Sequence, residues 1–332
     1  MKPTIALIGT GGTISTRSGL GSLDFVNYMA HGTTLEVDEV IRQVDEASQY
    51  ADLLTVKFRA ASSTSIGFQD WLALAAVIAQ TEAENPAIDG FVILHGTGTL
   101  EETAYFLQLS LRTKKPVVLT GSQRPLSALS TDAPINLVNA IRVAGDPAAH
   151  GMGVLVCLND EIHAARDVTK GATSRLHAFR TPDFGMLGEV NGAGVNFYRR
   201  PVRRGCPDTE FAVAGLTDLP RVDIAYSYAG VDDTAIRAFV AAGARGIVVA
   251  SFPGGRLSPA QQQACAQAQR DGVMVVISTR SGSGHAHVAN DLLGAGMIAA
   301  GNLNPQKARI LLALALTVSS DRAVIERMFA SY

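Results

Sequence analysis

Short, continuously apolar runs alternate with longer amphipathic segments along most of this chain, and that rhythm restricts its fold more than any single motif. Thr4 to Ile8 (TIALI), Leu53 to Phe58, Gly90 to Leu94, Pro116 to Leu119 and Gly153 to Leu158 are expected strands, with helices over Gln69 to Glu84 and Glu101 to Arg112. A strand that is apolar on both faces must be covered on both, which calls for a parallel sheet between two layers of helices. The rhythm breaks at a polar, basic, turn-rich stretch, Tyr198 to Pro220, and resumes with strands at Val222 to Ser227, Gly246 to Ala250 and Val273 to Ser278. Helices near Asp232 to Ala242 and over Ser258 to Asp271 separate these strands. The expected organisation is an N-terminal α/β domain over 1–200, a linker over 201–221 and a smaller C-terminal α/β domain over 222–332.

Composition narrows the function. Among 332 residues, 28 Lys and Arg against 30 Asp and Glu leave a net charge of −2, so nothing favours a nucleic-acid or anionic-membrane partner. The basic run RRPVRR in the linker reads as a solvated segment. With 47% apolar and 17% charged residues, the chain can bury a large core and is not disordered. No apolar run approaches the ~20 residues of a membrane span, the longest being Ile310 to Val318. The start MKPTIALIGTGG lacks the parts of a signal peptide, and a cytoplasmic location is expected. Cys157, Cys206 and Cys265 have no metal-ligand spacing and read as reduced packing residues. Neither a metal nor a cofactor is expected.

Two glycine turns carry the chemistry. The first strand runs into Gly9-Thr10-Gly11-Gly12-Thr13-Ile14-Ser15, where a dinucleotide fingerprint would need a third glycine at Ile14 and a helix start beyond it; neither is present. The third strand runs into His95-Gly96-Thr97-Gly98-Thr99. Ligands in open parallel sheets bind outside the carboxyl ends of the strands, so the two threonine-bearing turns, expected to be exposed and outside the core, can converge on one pocket. Small residues around a hydroxyl admit a substrate carbonyl, the layout of acyl transfer. A threonine nucleophile also needs a base, and the run Asn159 to Lys170 after the fifth strand ends in a lysine. By themselves His95 and His163 read as structural, since no carboxylate partner is evident for either. Trp71 reads as core, and Asp24, Glu101 and Glu102 as loop and helix N-terminal charges.

Taken together, IALIGTGGTIS, HGTGTLEET, LTGSQRP, NDEIHAARDVTK and LNPQKARILLALALT resemble the bacterial asparaginase/glutaminase family of threonine amidohydrolases. The resemblance implies a larger N-terminal α/β domain, a smaller flavodoxin-like C-terminal domain, a small-molecule substrate, and a homodimer or homotetramer whose active sites are shared between subunits. It makes Thr13 the nucleophile, Thr97 the second catalytic threonine and Lys170 its amine partner. Tyr28 is the match for the lid tyrosine that activates Thr13, with Phe25 competing. Among substrate-binding positions, Ser63 matches the serine that holds an α-carboxylate, Ser122 the position whose backbone faces the scissile amide, and Gly12 lies in the first turn.

The departures fall on one function. In the family's HGTDT motif the aspartate holds the substrate's α-ammonium and pairs with the lysine; here that residue is Gly98. The residue after the binding serine, Gln or Glu in the family and also directed at the ammonium, is Thr64. Where the family has a polar GNGN-type loop, this chain has Phe252 to Leu257, including Arg256, and only Asn290 and Asp291 lie near the place of the partner-subunit glutamate. An ammonium would meet Lys170 and Arg256 without a counter-charge. Three readings follow: an asparaginase-like amidohydrolase with an acyl-enzyme intermediate, acting on an amide acid that lacks a free α-amine; an ordinary L-asparaginase or glutaminase releasing ammonia; and a non-catalytic small-molecule binding module on the same fold.

Overall fold

The strands β1 (Thr4–Gly9), β2 (Asp52–Lys57), β3 (Gly90–Leu94), β4 (Val117–Thr120) and β5 (Val154–Leu158) form the parallel part of one sheet. In this computed structural model, which describes residues 2–332, they belong to the first of two units, Met1–Asp208 and Thr209–Tyr332. Their ends fall within two residues of the expected positions. Ile5, Leu7, Val92, Leu94, Val118 and Leu155 face the helix α3 (Ala133–Ala144) in one cluster with Leu137 and Ile141, while Ala6, Ile8, Phe91 and Ile93 are equally buried on the other face. That is why these strands read as unbroken apolar runs. On two further helices, α1 (Phe68–Glu84) and α2 (Leu100–Ser110), Trp71 stacks on Phe106 with ring centroids 5.4 Å apart and donates its indole N–H to Thr103 Oγ1 at 2.7 Å.

The sheet is not parallel throughout, as the sequence had suggested. After β5 the chain reverses at Asn159 and Asp160, whose φ values of 51° and 65° are those of a tight hairpin turn. It returns antiparallel as β6 (Glu161–Ala164), followed by β7 (Gly188–Asn191) and β8 (Gly194–Phe197), giving the order β8-β7-β6-β5-β4-β3-β1-β2. The run from Asn159 to Lys170 thus holds two strand segments, Glu161–Ala164 and Thr169–Lys170. Three of the four arginines of the basic run bond to backbone: Arg199 Nε donates to Met186 O at 2.9 Å, Arg200 Nη2 to His150 O at 2.7 Å and Arg204 Nε to Asp208 O at 2.5 Å. Such groups are braces, not a binding patch.

The second unit is a four-stranded parallel sheet in the order β9 (Val222–Tyr226), β10 (Gly246–Ser251), β11 (Met274–Thr279) and β12 (Ile298–Ala299). Helices α4 (Thr234–Ala241), α5 (Pro259–Arg270), α6 (Asn290–Gly294), α7 (Pro305–Val318) and α8 (Arg322–Ser331) complete it. The motif LNPQKAR has a local physical cause. Asn304 caps α7 by accepting from Lys307 N at 3.0 Å, and Pro305 occupies the first turn, where its missing N–H costs nothing. Among the described residues, no helix is long and apolar enough to cross a membrane and no group of three or more His, Cys, Asp or Glu is placed to hold a metal ion.

Candidate active site

Strand order locates the site. The chain leaves β1 toward β2 on one side, whereas β3 lies on the other side of β1 and continues to β4, so the connections diverge between the carboxyl ends of β1 and β3. A crevice opens at such a switch point. The loops that meet there are locked together: Thr10 sends both its N–H and its hydroxyl to Leu94 O, each at 2.9 Å, and Ala61 N donates to Thr10 O at 2.9 Å. Gly12 has φ of +84°, and a β-carbon there would stand 2.3 Å from Gly96 Cα. Glycine is required on both counts. Each candidate catalytic threonine follows one of these two touching glycines, so the contact carries Thr13 and Thr97 to one place.

Thr13 opens a short 3-10 turn, Thr13–Ser15, and its Oγ1 lies 2.9 Å from the hydroxyl of Tyr28. Of the two lid aromatics, Tyr28 makes this contact, while the Phe25 ring lies under the Arg124 guanidinium at 5.8 Å. Asp24 stitches the loop between them, accepting from Ser18 Oγ at 2.7 Å and from Asn27 N at 2.7 Å. The Ser18 hydroxyl is the main reason its carboxyl is held below the usual range.

Lys170 Nζ donates to Thr97 Oγ1 at 2.7 Å. The lysine sits in a two-residue ladder, Thr169–Lys170 against Phe179–Arg180. Burial lowers its pKa, because desolvation disfavours the ammonium. Among the described residues no carboxylate comes within 4 Å of Nζ to offset that loss. Thr13 and Thr97 are 8% and 7% exposed, which corrects the expectation of exposed turns. The interlocked backbones shield them.

Ser63 is also buried, in the 3-10 turn Ser63–Ser65, and its carbonyl accepts from Thr99 Oγ1 at 2.9 Å. A β-carbon on Gly98 would stand 2.8 Å from Ser63 Oγ, so Gly98 and Ser63 are neighbours. The Thr64 side chain instead pairs with the Ser62 hydroxyl at 2.9 Å on the exposed side of the turn. Ser122 is fully buried, with its hydroxyl committed to Arg124 O at 2.6 Å. Arg256 belongs to the second unit, where it closes the turn after β10 by pairing with Phe252. Asn290 begins α6 there, and Asp291 accepts from Gln262 at 2.8 Å.

His95 is a brace: Nδ1 lies 2.8 Å from Gly96 O and Nε2 lies 2.9 Å from Thr103 Oγ1, and complete burial pushes its pKa down to about 4. Two acids make contacts that the sequence reading did not include, one of them with His163, for which no carboxylate partner was evident. Glu161 Oε2 lies 3.2 Å from His163 Nε2 and 3.3 Å from His177 Nε2, and the His163 contact is the first cause of its lowered pKa. Glu161 and His163 alternate along β6 and so share a face, a pairing that the period of two would have revealed had the strand been recognised. Glu101, read as a helix-terminal charge, is only 6% exposed and lies against Thr169 and Lys170.

Comparisons with known proteins identify the family. The family model for the asparaginase N-terminal domain matches residues 4–203, and that for the glutaminase/asparaginase C-terminal domain matches residues 221–329. The chain is 40% identical to L-asparaginase 2 of Bacillus subtilis over 330 residues, covering 99% of this chain and 87% of the relative. It is 38% identical to a glutaminase-asparaginase of Pseudomonas fluorescens over 333 residues, covering 99% and 90%. A crystal structure described as a probable cytoplasmic L-asparaginase from Campylobacter jejuni superposes with a TM-score of 0.95 at 39% identity, over 100% of both chains. With both domain models matched in order, and with relatives this similar over nearly the whole length, the chain belongs to the asparaginase family of amidohydrolases.

Proposed function

We propose that this enzyme hydrolyses the terminal amide of a small carboxylic acid that lacks a free α-amine, using Thr13 as nucleophile. Thr13 Oγ1 attacks the amide carbonyl carbon and gives its proton, through the Tyr28 hydroxyl, to the departing nitrogen. The C–N bond breaks, ammonia leaves, and an ester joins the acyl group to Thr13. The Lys170 amine then draws a proton from water by way of Thr97. The resulting hydroxide attacks the ester, and the proton returns to Thr13 as the acid is released. Backbone N–H groups of the glycine turns and of Ser122 serve the developing oxyanion, and Ser63 holds the substrate's carboxylate.

One observation carries this reading: the Lys170 amine is hydrogen-bonded to Thr97, with no carboxylate among the described residues within 4 Å of it. A lysine desolvated without a counter-charge loses its proton more readily, as a base must. The same absence leaves a substrate's α-ammonium with no counter-charge to offset the hydration it loses in a partly dry site. L-Asparagine and L-glutamine, which the relatives' names point to, are therefore expected to be the weaker substrates. The test is to compare kcat/KM for L-asparagine, L-glutamine and succinamate. Succinamate in the lead supports the amine-free substrate class. L-Asparagine ahead of every amine-free analogue makes the enzyme an ordinary asparaginase.

A further inference from the structure

The catalytic lysine stands on an element too small to fix it. Its strand is a two-residue ladder separate from the large sheet. Thr97, its hydrogen-bond partner, precedes α2 by a few residues. A side chain of α2 reaches across to the ladder. Glu101, in the first turn of α2, accepts the backbone N–H of Lys170 and the hydroxyl of Thr169, both at Oε1 and both at 3.2 Å. It is 6% exposed, and a carboxylate is costly to bury unless its bonds are needed where they are made.

We propose that Glu101 is a positioning residue: it holds the Lys170 backbone at a fixed distance from α2, and so keeps the amine within reach of Thr97, without serving as the amine's counter-charge. The division of roles follows from where its bonds go. The carboxylate reaches the lysine's main chain, while no carboxylate among the described residues lies within 4 Å of Nζ. The clamp therefore supplies position while leaving the amine free to lose its proton, the combination that a general base requires. This inference rests on the catalytic reading of Thr97 and Lys170 given above.

Glu101→Ala, Glu101→Gln, Thr169→Val and Lys170→Met separate the possibilities, with succinamate and L-asparagine as substrates. Displacing a catalytic group by about 1 Å costs on the order of 100-fold, so Glu101→Ala is expected to lose about that much in kcat, with KM changed less than about threefold. Glu101→Gln keeps an acceptor oxygen and is expected to recover to within about tenfold of the parent, with the acid limb of its pH profile unmoved. If Glu101 were instead the counter-charge, Glu101→Gln would move that limb to lower pH by about one unit, and this outcome overturns the proposal. Glu101→Ala with unchanged kcat does so too. Should Glu101→Ala not fold, Thr169→Val tests the same oxygen through its other partner: a loss of kcat alone is expected, and unchanged kinetics overturn the clamp. Lys170→Met with full activity would refute the catalytic reading itself, whereas an inactive Lys170→Met beside an unaffected Glu101→Ala removes only the clamp.

Discussion

The hydroxyl of Ser63 occupies the space beside Gly98 that a side chain there would need, 2.8 Å from the position of its β-carbon. The backbone does not demand glycine at this point, because Gly98 lies outside the positive-φ region. What opposes a larger residue is one rotatable hydroxyl, which can turn away. Gly98→Asp should therefore fold. It should shift the ratio of kcat/KM for L-asparagine over succinamate by about 5- to 150-fold toward asparagine, the ~1–3 kcal/mol scale of a charge-assisted hydrogen bond. Displacing the Ser63 hydroxyl weakens carboxylate binding for both substrates, so absolute rates should fall while the ratio rises. An unchanged ratio would remove Gly98 as the determinant.

Thr13→Ala and Thr97→Val should each reduce turnover by several orders of magnitude on every substrate. Valine keeps the shape of the buried Thr97 but leaves Lys170 Nζ without its acceptor, so any loss of stability should be small beside the loss of rate. Thermal unfolding measured next to kcat separates the two. Parent-like turnover in either variant contradicts the mechanism.

Burial lowers the Lys170 pKa below its ordinary 10.5, and only the neutral amine can accept a proton. Activity should consequently fall as pH drops through the lowered value and recover above it. Lys170→Arg, which stays protonated, should be inactive across the range. A profile flat at low pH would exclude the amine as base.

Much of this was legible in the residues. Strands such as Gly90–Leu94 announced themselves because burial on both faces leaves no polar alternation, and the glycine turns were visible because backbone contact between Gly12 and Gly96 tolerates nothing else. The antiparallel extension was missed because its turn, Asn159-Asp160, sits inside a charged run that hides the period of two in Glu161–Ala164. The burial of Thr13 and Thr97 could not be read from their neighbours, since it is produced by loops from distant strands closing on one another. Glu101 escaped for a similar reason: acids are common in a helix's first turn, and nothing local marks one that reaches Lys170.

The resemblance to family members with shared sites carries an expectation for assembly. Sedimentation should give a dimer or tetramer, and dilution that produces monomers should abolish activity. A fully active monomer would mean that one chain supplies the whole site.

His95, buried and hydrogen-bonded to Gly96 and Thr103, should make stability depend on pH. Its pKa falls from 6.5 to about 4 because the ring is completely buried, where a charge is poorly solvated. Above pH 6.5 the ring is neutral whether folded or unfolded, and it contributes no pH dependence. Between 6.5 and 4 the unfolded chain binds a proton that the folded one refuses, so stability is lost as pH falls through this window. From pH 7 to pH 4.5 the loss from this ring should be about 2–3 kcal/mol, following 1.36 kcal/mol for each pH unit inside the window. Denaturant unfolding of the parent and of His95→Gln at both pH values measures it. Glutamine keeps hydrogen-bonding groups toward Thr103 but does not titrate, so the variant should be less stable at pH 7 and lose less on acidification. Equal acid losses in the two proteins would show that other groups dominate.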